Sequence, residues 1–119
     1  MSAAISFRDP APNATIDHPR PDRLISGNPC RQTWLRHEDP KLGFYCGEWA
    51  CEVGAWRIEY GARESELFTV VSGQIRICDN EGNARDYGPG DTCVIPCGFA
   101  GSFEVLEPCR KIFAIIDRN

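Results

Sequence analysis

The chain has 119 residues, 42% of them hydrophobic and 25% charged, with a formal charge of −4. That length makes one domain, and the composition argues against disorder. No cluster of Lys and Arg stands out to neutralise phosphates, so a nucleic-acid partner is excluded.

Residues 1–23 carry Pro10, Pro12, Pro19 and Pro21 between polar spacers, and read as an extended N-terminal arm without a core of its own. The arm remains free to add a strand to the sheet or to a neighbouring subunit. It lacks the apolar run of a secretory signal. The longest apolar runs, such as Ile112–Ile116, are too short to span a bilayer as a helix. A cytoplasmic protein with no membrane partner is the expectation.

Residues 24–119 read as a single domain of short strands. Candidates are 31–35, 43–53 with an interruption, 55–60, 65–71, 74–79, 83–87, 91–95, 101–107 and 109–116. Turn chemistry separates them: DNEGN at 79–83, YGPGD at 87–91 and PCG at 96–98. No segment sustains a 3.6-residue apolar period over ten residues, so the fold class is all-β, a sandwich or barrel with essentially no long helix.

The seven cysteines, at 30, 46, 51, 78, 93, 97 and 109, are odd in number and form no CxxC pair. Without a signal peptide they read as reduced thiols. The tempting pairs Cys46/Cys51 and Cys93/Cys97 lie roughly 13–16 Å apart along an extended strand. That is too far to share one ion at a Zn–S distance of about 2.3 Å. Buried structural thiols are the better account.

Two blocks narrow the barrel further. The first is Gly54-x5-Tyr60-x-Ala62-x3-Glu66-x6-Gly73, and the second is Gly90-x5-Pro96-x-Gly98-x2-Gly101. In spacing they resemble the two motifs of the cupin superfamily, which are small double-sheet jelly rolls. The resemblance is closer to the small single-domain cupins of unknown function related to the ureidoglycine aminohydrolase cupin domain. It runs over roughly residues 23–116, with Phe103 where that branch usually has Trp, and Cys97 where a small residue often stands.

In metal-dependent cupins, the resemblance implies, ligands occupy the positions of Tyr60, Ala62, Glu66 and Gly101. Only Glu66 keeps a ligand here. Ala62 and Gly101 have no donor, a neutral tyrosine is a poor ligand, and His18 and His37 lie outside both blocks. One carboxylate does not hold Mn, Fe or Zn. No metal held as in ordinary cupins, and no other cofactor, is expected.

Strand alternation turns Trp56, Ile58, Tyr60, Glu66, Phe68 and Val70 inward, with Phe103 and Val105 beside them. Arg57, Glu59, Leu67, Thr69 and Val71 point out. The inward set makes an aromatic-lined interior with a carboxylate and a phenol, as in ligand pockets. A buried carboxylate must be paired, hydrogen-bonded or protonated, and Lys111, alternating with Arg110 on the last strand, is the candidate partner. Equally, the aromatics taken singly read as ordinary core, and Tyr60–Glu66 as a satisfied internal pair.

Three functions follow. The first is a small polar metabolite bound without metal, with Tyr60 and Glu66 as anchors, Trp56, Phe68, Phe99 and Phe103 as walls, and Lys111 close by. The second is a metal-independent enzyme, an isomerase, epimerase or aminohydrolase-like activity, using Glu66 and Tyr60 as base and acid. The third is an interaction module, a homodimer through outward Leu67, Val71, Ile112 and Ile116, with the barrel packed shut.

Overall fold

Alternating apolar and polar side chains, punctuated by glycine turns, give nine strands and no helix among residues 3–118, which the computed structural model describes. They are β1 Thr15–Asp17, β2 Leu24–Ser26, β3 Arg31–Asp39, β4 Phe44–Cys51, β5 Gly54–Glu59, β6 Glu64–Asp79, β7 Ala84–Tyr87, β8 Thr92–Ile95 and β9 Ala100–Asp117. Among these residues no helix is long and apolar enough to cross a membrane.

All pairings are antiparallel, and two long strands organise them. The C-terminal half of β9 lies between β4 and the first half of β6, giving one layer ordered β1-β3-β4-β9-β6-β8. The N-terminal half of β9 lies between β5 and the second half of β6, giving a second layer ordered β2-β5-β9-β6-β7. This is the jelly roll expected from the sequence.

Several boundaries differ from the expected ones. Segments 65–71 and 74–79 are one strand, β6, and 101–107 and 109–116 are one strand, β9. The turn residues between them act as bulges instead of ends. The β6–β9 register shifts at Val70/Ser72, Ser72/Gln74 and Gln74/Ile75, opposite Pro108, and extra unpaired residues bend a strand without ending it. Gly73 sits at this bend with φ +86°, and a Cβ there would stand 2.2 Å from the Pro108 carbonyl oxygen. No other residue type fits. Within the segment 43–53, expected to be interrupted, residues 44–51 run unbroken as β4 and the chain leaves the strand at 52–53, before β5.

The core lies between the layers. Phe68, Val70, Ile75, Ile95, Phe103, Val105 and Phe113 are all buried. Trp56 stacks on Phe103 at 5.2 Å between ring centroids, and Trp49 meets Phe103 edge-on at 5.6 Å. These contacts join β4 of one layer to β5 and β9 of the other.

The N-terminal arm runs against the β3 edge of its own chain. β1 pairs Thr15–Asp17 with Arg31–Thr33. Arg31 donates twice to the Asp17 carboxylate, at 2.9 and 2.7 Å. Earlier in the arm, Arg36 donates to the backbone oxygens of Phe7, Asp9 and Pro10 and to Glu48.

Candidate functional site

Glu66 enters the interior because β6 alternates: Leu67 and Val71 face out, while Glu66, Phe68 and Val70 face in. Lys111 enters from β9 by the same rule, and its neighbour Arg110 lies outside, over the Trp34 ring. Both are buried, at 5% and 7% exposure. Lys111 Nζ donates to Glu66 Oε2 at 2.9 Å. The other carboxylate oxygen, Oε1, accepts the Tyr60 hydroxyl at 2.5 Å. Tyr60 stands just past β5, held by its backbone N–H to the Phe99 carbonyl. Burial, followed by the Glu66 charge, pushes the Tyr60 phenol well above its ordinary pKa. It therefore stays protonated and acts as a donor to the carboxylate.

The ammonium has a second set of neighbours. Lys111 Nζ lies 4.4 Å from the Phe68 ring centroid, 4.5 Å from Trp49 and 5.1 Å from Phe103. Three aromatic faces and one carboxylate thus enclose a single buried cation.

Above this group a cleft of about 580 Å³ lies on the concave face of the first layer. Register explains its walls. Thr33, Trp49 and Lys111 form one cross-strand row, and Tyr45, Ile115 and Glu66 form another. Residues in a row point to the same side of the sheet. Arg31, Leu35, Glu64 and Phe113 complete the lining, and Asp17 of the arm stands at its edge. Burial pushes the Glu64 carboxyl upward.

The expected site residues divide into three groups. Glu66 and Lys111 line this cleft, with Tyr60 bonded behind Glu66. Trp56, Phe68 and Phe103 are packed core, the last two beneath the Lys111 ammonium. Phe99 belongs elsewhere: it lines a separate depression with Ile77, Arg85 and Tyr87. Thr33, Tyr45, Trp49 and Ile115 are site residues that motif reading missed. The signal was the two-residue period of β3 and β4, which aligns 31, 33 and 35 with 45 and 49.

A family model described as the EutQ-like cupin domain matches residues 38–113. The chain belongs to this cupin family.

Solved structures agree on the fold of this cupin. A protein of unknown function of the DUF861 family from Pseudomonas syringae pv. tomato superposes with a TM-score of 0.78 at 20% identity. That match covers 93% of this chain but only 46% of the larger protein, so the cupin chain spans about half of it. The Clostridium difficile EutQ protein gives a TM-score of 0.65 at 22% identity, over 81% of this chain and 76% of its own. A putative ethanolamine utilization protein Q from Salmonella typhimurium gives 0.66 at 11% identity, over 98% and 100%. No curated protein matches the chain in sequence.

The metal site implied by the cupin motifs does not fit these residues. Both oxygens of Glu66 are engaged by protein donors. Ala62 is exposed and has no donor atom. At Gly101 a Cβ would lie 2.0 Å from the Cys78 carbonyl oxygen, so the backbone leaves no space for a histidine. Among the described residues, no three His, Cys, Asp or Glu side chains converge as a metal site.

Proposed function

We propose that this cupin binds a small polar organic molecule in the cleft above Glu66 and Lys111, without a metal held between them. The observation that carries the reading is the convergence of a buried ion pair, a phenol donor and aromatic walls at the base of a 580 Å³ cleft. Apolar walls with a few fixed polar groups are the usual composition of a small-molecule site. The resemblance to relatives of ureidoglycine aminohydrolase suggests nitrogen-containing metabolites as the first to be screened. That resemblance is analogy at the level of fold and gives no substrate.

The reading is tested by thermal shift against a metabolite library. A ligand raises the melting temperature with concentration. A hit whose response is lost in Tyr45→Ala or Thr33→Ala, both with wild-type melting temperature, supports the cleft. An unchanged response in both variants refutes it.

The catalytic alternative, with Glu66 and Tyr60 as base and acid, draws support from their 2.5 Å contact. Against it, the raised Tyr60 pKa makes the phenol a poor acid near neutral pH.

A homodimer is proposed on a separate observation. Val94, Leu67 and Ile112 are 59%, 48% and 42% exposed on the outer face of β8, β6 and β9, where Leu67 pairs with both Val94 and Ala114. Light scattering after size exclusion tests this, with Leu67→Lys expected to shift a dimer to monomer. All seven cysteines are free, which supports a reducing compartment such as the cytoplasm.

A further inference from the structure

We propose that the barrel interior is an organic-cation site, filled permanently by the chain's own Lys111 ammonium at Glu66, the one donor-bearing position of the metal motif implied by the sequence resemblance. The inference does not depend on what the cleft above binds.

Two alternatives set the standard. A structural ion pair needs only the carboxylate, and a metal site needs several oxygen or nitrogen donors around one point. The surroundings of Lys111 Nζ match neither. Among the described residues Glu66 is its only hydrogen-bond partner. The rest of its near surroundings include the rings of Phe68, Trp49 and Phe103, at 4.4, 4.5 and 5.1 Å. An aromatic face carries negative quadrupole density, and a cation within about 6 Å of the centroid is attracted to it. Rings from three strands, β4, β6 and β9, converge on one nitrogen with one counter-ion. That is the chemistry of alkylammonium recognition.

The tether accounts for the residues present at the motif positions. A metal needs all its ligands, and a side-chain ammonium needs one anion. Glu66 is that anion, and positions 62 and 101 carry no donor because none is required. Lys111 brings its own cation on a four-carbon stem, so the charge balance inside the barrel is met without any ion from solution.

The test removes the tether and supplies its free equivalent. Lys111→Ala deletes Cγ to Nζ, the heavy atoms of n-propylammonium. Melting curves of this variant and of wild type are compared in n-propylammonium chloride, 1-propanol, sodium chloride and manganese chloride. The expected result is a rise in the Lys111→Ala melting temperature with the logarithm of n-propylammonium concentration, in excess of any wild-type change and absent with 1-propanol. Equal rescue by 1-propanol, no rescue, or stronger rescue by Mn(II) would overturn the proposal. Should Lys111→Ala fail to fold, wild-type NMR decides instead. Ring currents should move the Lys111 Cε protons upfield, and Trp49→Leu should move them back. Cε resonances at unstructured-lysine positions in the wild type would refute the cage.

Discussion

Glu66 and Lys111, 45 residues apart in sequence, meet at 2.9 Å with both side chains almost wholly excluded from solvent. Their register partners differ: Glu66 pairs with Ile115 and Lys111 with Val70. The lysine therefore reaches along the barrel instead of straight across it to meet its carboxylate.

Breaking this pair from one side is expected to be costly. Lys111→Met leaves a buried carboxylate with only the Tyr60 hydroxyl, and Glu66→Gln leaves a buried ammonium with an amide oxygen to accept from it but no counter-charge. Loss of one partner from a buried pair typically costs about 3–5 kcal/mol. The double variant Lys111→Met/Glu66→Gln removes both charges and is expected to be more stable than the sum of the single losses implies. Urea midpoints of the four proteins check this, and simple additivity would contradict the coupling.

Restoring the third histidine of the motif is expected to damage the fold without creating a metal site. Gly101→His places its Cβ against the Cys78 carbonyl, where only backbone movement gives relief. The loss should sit at the upper end of the about 1–3 kcal/mol that overpacking costs. Ala62→His, at an exposed position, should change stability little. Denaturation curves with and without zinc distinguish the two variants, and a zinc-stabilised Gly101→His protein would count against the geometry described above.

Part of this architecture is legible in the sequence, at particular residues. The spacing from Gly54 to Gly73 specified the β5–β6 geometry, and two-residue alternation turned Trp56, Phe68 and Phe103 inward. Lys111 followed from its alternation with Arg110. The cleft walls did not follow, because Thr33, Tyr45 and Trp49 join the site only through long-range pairing, as in the register of Trp49 with Lys111. Pro108 and Gly73 read as strand ends by their local preferences. Tertiary pairing made them a bend in two continuous strands instead.

Alkaline pH should weaken the fold through two buried thiols. Burial raises Cys51 from 9.0 to about 12 and Cys109 from 9.0 to about 11. Both hold their protons more tightly folded than unfolded, so stability is intact below about pH 9 and falls as pH rises toward 11–12. The Cys51→Ala/Cys109→Ala variant should show a flatter decline. Urea midpoints at pH 7, 9 and 10.5 check it. Parallel slopes for the two proteins would exclude these thiols as the cause.

The arm should come loose when Arg36 is lost. Its guanidinium donates to three arm carbonyls while paired with Glu48. Arg36→Ala is expected to speed trypsin cleavage after Arg8, read by intact mass. Arg36→Lys should not protect the arm, since a point ammonium cannot reproduce the planar fork. Equal cleavage rates in wild type and Arg36→Ala would show that the clamp contributes nothing.

Because β6 and β9 each run through both layers, the two halves of the barrel have no seam along which one can open alone. Peeling β9 from β6 in one layer transmits strain through the bend at Gly73 and Pro108 to the other. Amide protons along this strand pair are therefore expected to exchange together, through global unfolding instead of local breathing, which hydrogen-exchange mass spectrometry checks. These pairings join distant parts of the chain, a topology expected to slow folding. The Lys111 ammonium and its carboxylate lie across this same strand pair.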